Sequence, residues 1–214
     1  PPRPEKRQPT VWNAEQVNLF LDGISDHTYY PIYLLAIYGG LREGEVLGLY
    51  YEDIDWPAGS IHVRHAVQNI YHKGLVITDP KTKMSRRTVA LPQHVMDVLR
   101  EHAIKQNVDQ TLMFHTSTGK PLSPRNLQRH FQMMVARLGL PRIRFHDLRH
   151  TSATLLLLAG VHPKVVQERL GHTMISTTMD LYSHVMPGMQ RDASDRMVEL
   201  LKKTSTGIVG ELEG

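Results

Sequence analysis

The sequence contains no cysteine among its 214 residues, which excludes disulfides, thiolate zinc sites and thiol nucleophiles. It also has no long hydrophobic run. The longest purely apolar stretch, Leu155 to Ala159, is far short of the ~20 residues a membrane span requires. The opening segment, PPRPEKRQPT, has no apolar centre for a signal peptide, and its prolines oppose an amphipathic transit helix. No internal repeat is visible. Charge of one sign is not concentrated either: Lys and Arg total 25 against 21 acidic residues, a net +4, with 13 histidines in reserve. That excess permits a nucleic-acid partner without demanding one, because what matters is where the charge clusters. With 41% hydrophobic and 21% charged residues, the composition is that of an ordinary globular protein. These features together predict a soluble cytoplasmic protein with no membrane association.

The pattern along the chain predicts an α+β fold that is mostly helical. Residues 1–12 read as a proline-rich linker, and a domain beginning straight after a linker implies that something preceded it. Asn13 and Gln16 have the spacing of a capping box, so a first helix begins there and stops at Gly23. A second helix spans about 28–38, is broken by Gly39-Gly40, and a third runs from Arg42 to Leu49. Between Ser60 and Pro92 the periodicity changes. Ile61, Val63 and His65 alternate with polar residues, and Leu75-Val76-Ile77 and Thr88 to Leu91 are short β-type runs. These predict a small three-stranded antiparallel sheet inserted between helices. Helical periodicity then returns at about 93–106, 124–138, 147–159, 163–170, 175–183 and 189–203, followed by a tail over 204–214.

The chemistry concentrates in a few places. His146 and Arg149 stand three apart at a helix start and share a face, where together they could hold both non-bridging oxygens of a phosphodiester. His172 follows a short helix closed by Gly171. Tyr182 lies ten residues on, and its phenol is a poor nucleophile unless a cationic pocket stabilises the phenolate. Arg42 sits at a helix N-terminus behind two glycines, a favourable place for an anion, with Glu45 one turn on to orient a basic side chain. Lys81, Lys83, Arg86 and Arg87 crowd a turn between strands that could reach into a nucleic-acid groove. Taken singly, each has a plain alternative: a surface ion pair, a turn histidine, a packing tyrosine or a solvated charge run. H-D-L-R-H also resembles a zinc signature, with His146 and His150 on one helical face and His162 or His172 as a third ligand.

In combination the motifs are far more specific. G-G-L-R-E-G-E, P-K-T-K-M-S-R-R-T-V-A-L-P, H-D-L-R-H, L-G-H and S-T-T-M-D-L-Y-S-H-V occur in that order over about residues 10–190. The sequence thereby resembles the catalytic domain of the tyrosine recombinases, the phage-integrase family, and especially integrases of phages and conjugative transposons.

The resemblance implies a site-specific recombinase that integrates or excises a mobile element, independent of metal and ATP and without a cofactor. Arg42 and Arg149 would clamp the scissile phosphate of double-stranded DNA, and Tyr182 would attack it to give a 3′-phosphotyrosyl link. Lys81 would protonate the leaving 5′-oxygen, with Lys83 as the fallback. His146 would assist proton transfer from the tyrosine, His172 would hydrogen-bond the phosphate, and Glu45 would support the site. Lys83, Arg86 and Arg87 would contact DNA. Exchange would pass through a Holliday junction in a homotetramer of the full-length protein, in a bacterial cell or a phage-infected host. Residues 13–203 would form the catalytic domain, detached from an N-terminal core-binding domain, monomeric without DNA and unable to recombine efficiently. A type IB topoisomerase shares this chemistry, and a catalytically silent DNA-binding module or a zinc hydrolase would be the remaining alternatives.

Overall fold

The computed structural model describes residues 10–79, 86–106 and 111–171, with the isolated positions 179, 194, 197 and 198. The helices predicted at 175–183 and 189–203, and the tail from 204, lie outside the described residues apart from those single positions.

Helix α1 (Ala14–Asp22) begins at the predicted capping box: the Asn13 side chain accepts from the Gln16 amide at 2.8 Å, and Gln16 Oε1 accepts from the Asn13 amide at 3.0 Å. Its inward face carries Val17, Phe20 and Leu21. Helix α2 (Tyr30–Tyr38) is apolar all round, and Pro31 through Ile37 are buried, so it forms the central rod of the domain. A short helix α3 (Glu43–Leu47) follows the Gly39-Gly40 break.

Trp12 lies within the core at 1% exposure rather than in a linker. Its indole donates to the Pro141 carbonyl at 2.8 Å and its amide to Thr151 Oγ1 at 3.2 Å. Its ring packs on Phe20 and Phe131, which in turn meet Tyr33 and Phe145. The packed domain therefore begins no later than Trp12, because the ring fills space between α1 and the later helices.

Two small antiparallel sheets form among the described residues, where one was predicted. Strands β1 (Ile54–Asp55), β2 (Ser60–Val63) and β5 (Arg87–Ala90) pair in the order β1-β2-β5. Strands β3 (Ala66–Ile70) and β4 (Gly74–Thr78) make a separate hairpin, with Val67 opposite Ile77. The run Leu75-Val76-Ile77 is thus a strand as expected, but its partner is β3. His65, expected to continue the alternation of Ile61 and Val63, falls between β2 and β3 with Nδ1 3.4 Å from Asp53 Oδ2. The physical reason is the close crossing of β3 over α3. A Cβ on Gly44 would stand 2.5 Å from the Val67 carbonyl oxygen, so glycine is what lets the hairpin lie on α3.

Helices α4 (Gln93–Lys105) and α5 (Pro124–Arg137) bury Val95, Met96 and Leu99, and Leu127, Phe131, Met134 and Val135. Helix α6 (Asp147–Leu158) crosses α2 and carries H-D-L-R-H at its start. Helix α7 (Pro163–Leu170) folds back on α6 over a small apolar cluster of Ala153, Leu157, Val166 and Leu170. Gly171, at φ +63°, closes it in the left-handed conformation that glycine tolerates. No helix among the described residues is long and apolar enough to cross a membrane.

Candidate active site

The site is built around Glu45. Its carboxylate folds back over the start of α3, accepting from the Arg42 amide at 2.8 Å and from Arg42 Nη1 at 2.7 Å. Arg87 arrives from β5 and grips both carboxylate oxygens, Nη1 to Oε1 at 3.1 Å and Nη2 to Oε2 at 2.8 Å. Arg149 comes from α6, with Nη1 4.0 Å from Oε2. Three guanidiniums thus converge on one carboxylate, and the cluster stays net positive. Burial alone would raise the Glu45 carboxyl. Hydrogen bonds and charge from Arg87, and then from Arg42, overcome this and hold it at about 2.

Arg149 is almost fully enclosed, at 3% exposure. Nη1 donates to the Gly40 carbonyl at 2.6 Å, and Nη2 donates to the Leu170 carbonyl. The guanidinium is therefore tied to the break after α2 and the end of α7 together. Gly40, at φ +62°, holds the left-handed conformation that glycine tolerates, and a Cβ there would also push on Leu170 Cδ2 at 2.5 Å. Burial, followed by the charge of Arg42, lowers the Arg149 pKa to about 9, with Glu45 opposing; the group still carries its charge at neutral pH. Arg42 is the more open member at 39% exposure, and Nη2 reaches the Gly171 carbonyl at 3.4 Å.

His146 occupies the N-cap position of α6, with its ring edge-on to His150 at 5.3 Å between centroids. Crowding on its protein side, then His150, Arg149 and Arg42, lower its pKa, and Asp147 opposes them. A neutral imidazole next to fixed cations can accept a proton from a phenol and donate one back.

The zinc alternative for H-D-L-R-H meets a physical obstacle. Asp147, which would have to act as the base, is held by Arg144 at both oxygens: Nη2 to Oδ1 at 2.8 Å, and the amide and Nε to Oδ2 at 2.7 and 3.1 Å. His162 caps α7, with Nδ1 accepting from the Lys164 amide at 3.2 Å.

Of the residues singled out in the sequence, Arg42, Glu45, Arg149 and His146 are brought into one neighbourhood, with Arg42 bonded to the carboxylate and Arg149 4.0 Å from it. Arg86 is 60% exposed and pairs with Asp79 at 3.1 Å. Arg87 corrects the expectation of a DNA-facing side chain. Strand alternation turns it inward beside Val89, and its side chain is only 6% exposed. Lys81, Lys83, His172 and Tyr182 lie outside the described residues. The sequence reading missed the Glu45–Arg87 pair and the receiving carbonyls of Gly40 and Leu170. It also missed Arg169, whose Nη2 ties the Tyr38 and Ala90 carbonyls at 2.7 and 2.9 Å. The period-2 pattern Arg87, Val89, Leu91 carried a signal for the first; nothing local signalled the others.

A helical domain with small appended sheets, gathering arginines around one carboxylate, is suited to holding an anion such as a phosphodiester. A model of the phage integrase family matches residues 11–188, and the chain belongs to that family. It is 31% identical over 224 residues to a tyrosine recombinase XerC-like protein of Caldanaerobacter subterraneus subsp. tengcongensis, spanning 94% of this chain and 57% of that protein. It is 29% identical over 209 residues to the ICEBs1 integrase of Bacillus subtilis (strain 168), spanning 92% of this chain and 56% of that one. The chain therefore spans about half the length of the curated relatives it matches. In fold it is similar to the Tn1549 transposon integrase solved with circular intermediate DNA: TM-score 0.79, 24% identity, covering 90% of this chain and 68% of that one. It is also similar to the XerA recombinase, with TM-score 0.69, 21% identity, and coverage of 92% and 66%.

Proposed function

We propose that this chain supplies the catalytic part of a site-specific DNA recombinase that integrates or excises a mobile element, through a covalent link between DNA and Tyr182. The observation that carries this reading is the convergence of Arg42 and Arg149 on Glu45, with His146 at the same helix start as Arg149. Such preorganised donors stabilise charge that develops on a phosphate in the transition state. The names of the relatives, recombinases and integrases, support it, as does the neighbour solved on DNA.

The Tyr182 hydroxyl oxygen attacks phosphorus, and its proton passes toward His146. The bond to the 5′-oxygen breaks, and that oxygen takes a proton from Lys81, or from Lys83 if the turn presents it instead. Arg42, Arg149 and His172 hold the non-bridging oxygens. The 3′-phosphotyrosyl bond conserves the energy of the phosphodiester. The 5′-hydroxyl of a partner duplex then reverses the attack, which makes a Holliday junction within a tetramer of the full-length protein. Arg86 contacts the DNA backbone beside the turn. Burial and the neighbouring cations disfavour a charged His146, which suits it to accept the proton of the phenol.

The test uses nicked duplexes with a randomised core, incubated with the 214-residue chain and recovered as SDS-resistant protein–DNA adducts. Recovery of a defined core, loss of adduct in Tyr182→Phe and indifference to EDTA are expected. An adduct that survives Tyr182→Phe, or no adduct at all, would overturn the reading. Relaxation of a supercoiled plasmid without a partner site would redirect it to a topoisomerase. Integration between two plasmid sites by this chain alone is expected to be weak or absent.

A further inference from the structure

Arg87 neighbours the exposed Arg86 yet has the opposite fate. In the β2–β5 register it stands opposite Val63, on the buried face shared with Ile61 and Val89. Three parts of the site meet on its side chain. Its fork closes on both Glu45 oxygens. Nε donates to the Arg169 carbonyl at 2.6 Å, in the last turn of α7. Its Cδ and Nη1 lie where a Cβ on Gly171 would be 3.1 Å away, so the left-handed glycine that closes α7 also makes room for the guanidinium.

A buried ion pair is weak evidence for stability, since apolar residues of similar volume often do as well. The pair becomes intelligible through its neighbours. Glu45 also binds Arg42 and lies 4.0 Å from Arg149, the two arginines proposed to hold the phosphate. With Arg87 removed, an unneutralised carboxylate would draw those guanidiniums to itself and cancel the charge the phosphate requires. Arg87 itself spends Nε on the Arg169 carbonyl and both terminal nitrogens on Glu45.

We propose that Arg87 is a positioning residue: it binds both oxygens of Glu45 and braces the end of α7, so that the Glu45 charge does not draw Arg42 and Arg149 away from the phosphate. This inference rests on the recombinase reading above. Strand β5, which follows Lys81 in the sequence, is thereby fastened to the arginine clamp, which couples the leaving-group side of the reaction to the phosphate side.

The experiment measures single-turnover adduct formation at saturating duplex, duplex affinity and thermal unfolding, using the core sequence recovered with the unaltered chain. Arg87→Ala is expected to slow adduct formation about 100-fold, and Arg87→Lys about 10-fold, since an ammonium keeps the charge but cannot fork. Affinity is expected to stay within about twofold for both. Adding Glu45→Gln to Arg87→Ala is expected to restore part of the lost rate, because it removes the charge that competes for Arg42. Arg87→Lys keeps the test decisive if Arg87→Ala fails to fold. A wild-type rate in Arg87→Lys, a loss confined to affinity, or a double variant slowed by the product of the single effects would each overturn the proposal. If the unaltered chain forms no Tyr182 adduct, the recombinase reading fails and takes this inference with it. If it does form the adduct while the Arg87 variants match it, only this inference fails.

Discussion

Two helix starts in this protein use the same local device. At α3, the amide and guanidinium of Arg42 both bind the carboxylate of Glu45 three residues on. At α6, the amide and guanidinium of Arg144 do the same to Asp147. From sequence spacing alone the two are equivalent. Their surroundings differ. Arg144 is 75% exposed, and its pair with Asp147 ends at solvent. Glu45 receives Arg87 from a strand and Arg149 from a helix, each with low side-chain exposure. The device by itself ties a turn of chain at a helix start; buried cations reaching it from elsewhere in the chain make it a site.

The sharpest way to break this comparison is to delete each carboxylate. Glu45→Ala leaves Arg87 and Arg149 buried without their shared partner, and should destabilise the domain by about 3–5 kcal/mol in urea unfolding. Equal losses at Glu45 and Asp147 would erase the distinction. Acid provides a related test without mutation. The Glu45 carboxyl is held at about 2 in the folded protein against an ordinary value of 4.5, a depressed pKa. Its contribution, on the order of 3 kcal/mol, is therefore fully present above about pH 4.5 and lost as pH falls toward 2. In Arg87→Ala that acid limb should move to higher pH, and urea midpoints measured across the range would show it. Asp147→Ala removes the carboxylate that holds Arg144 ahead of α6, and should cost about 1 kcal/mol. Arg144→Ala should be the mildest, under about 1 kcal/mol, since an exposed pair contributes little; adding salt should reduce even that.

Much of the fold was legible in the sequence because it is written locally. The Asn13–Gln16 box, the apolar periodicity of α4 to α7 and the glycine stops each depend on residues within a turn or two of one another. Periodicity identified Leu75-Val76-Ile77 as a strand but could not choose its partner, and the crossing of β3 over Gly44 made that choice. The hairpin turn itself holds His72 at φ 62° before Gly74, an arrangement that no Asn-Gly or Asp-Gly pair announced. For the site, residue types and order pointed to Arg42, Glu45, His146 and Arg149. What stayed hidden was the wiring. Arg87 was counted with Lys81, Lys83 and Arg86 as one basic turn, although alternation with Val89 turns it inward. The carbonyls of Gly40 and Leu170 that hold Arg149 belong to residues over a hundred and about twenty positions away, and backbone acceptors leave no mark in a sequence.

The most direct test of the central claim compares the two arginines of the shared device on one reaction. Single-turnover formation of the Tyr182–DNA adduct is measured at saturating duplex for Arg42→Ala and for Arg144→Ala. A loss of about 100- to 1,000-fold is expected for Arg42→Ala, the size seen when a preorganised donor to a transition-state oxygen is removed. Arg144→Ala should stay within about twofold of the unaltered chain. Equal losses in the two variants, or an Arg42→Ala variant that forms adduct at the unaltered rate, would contradict the account.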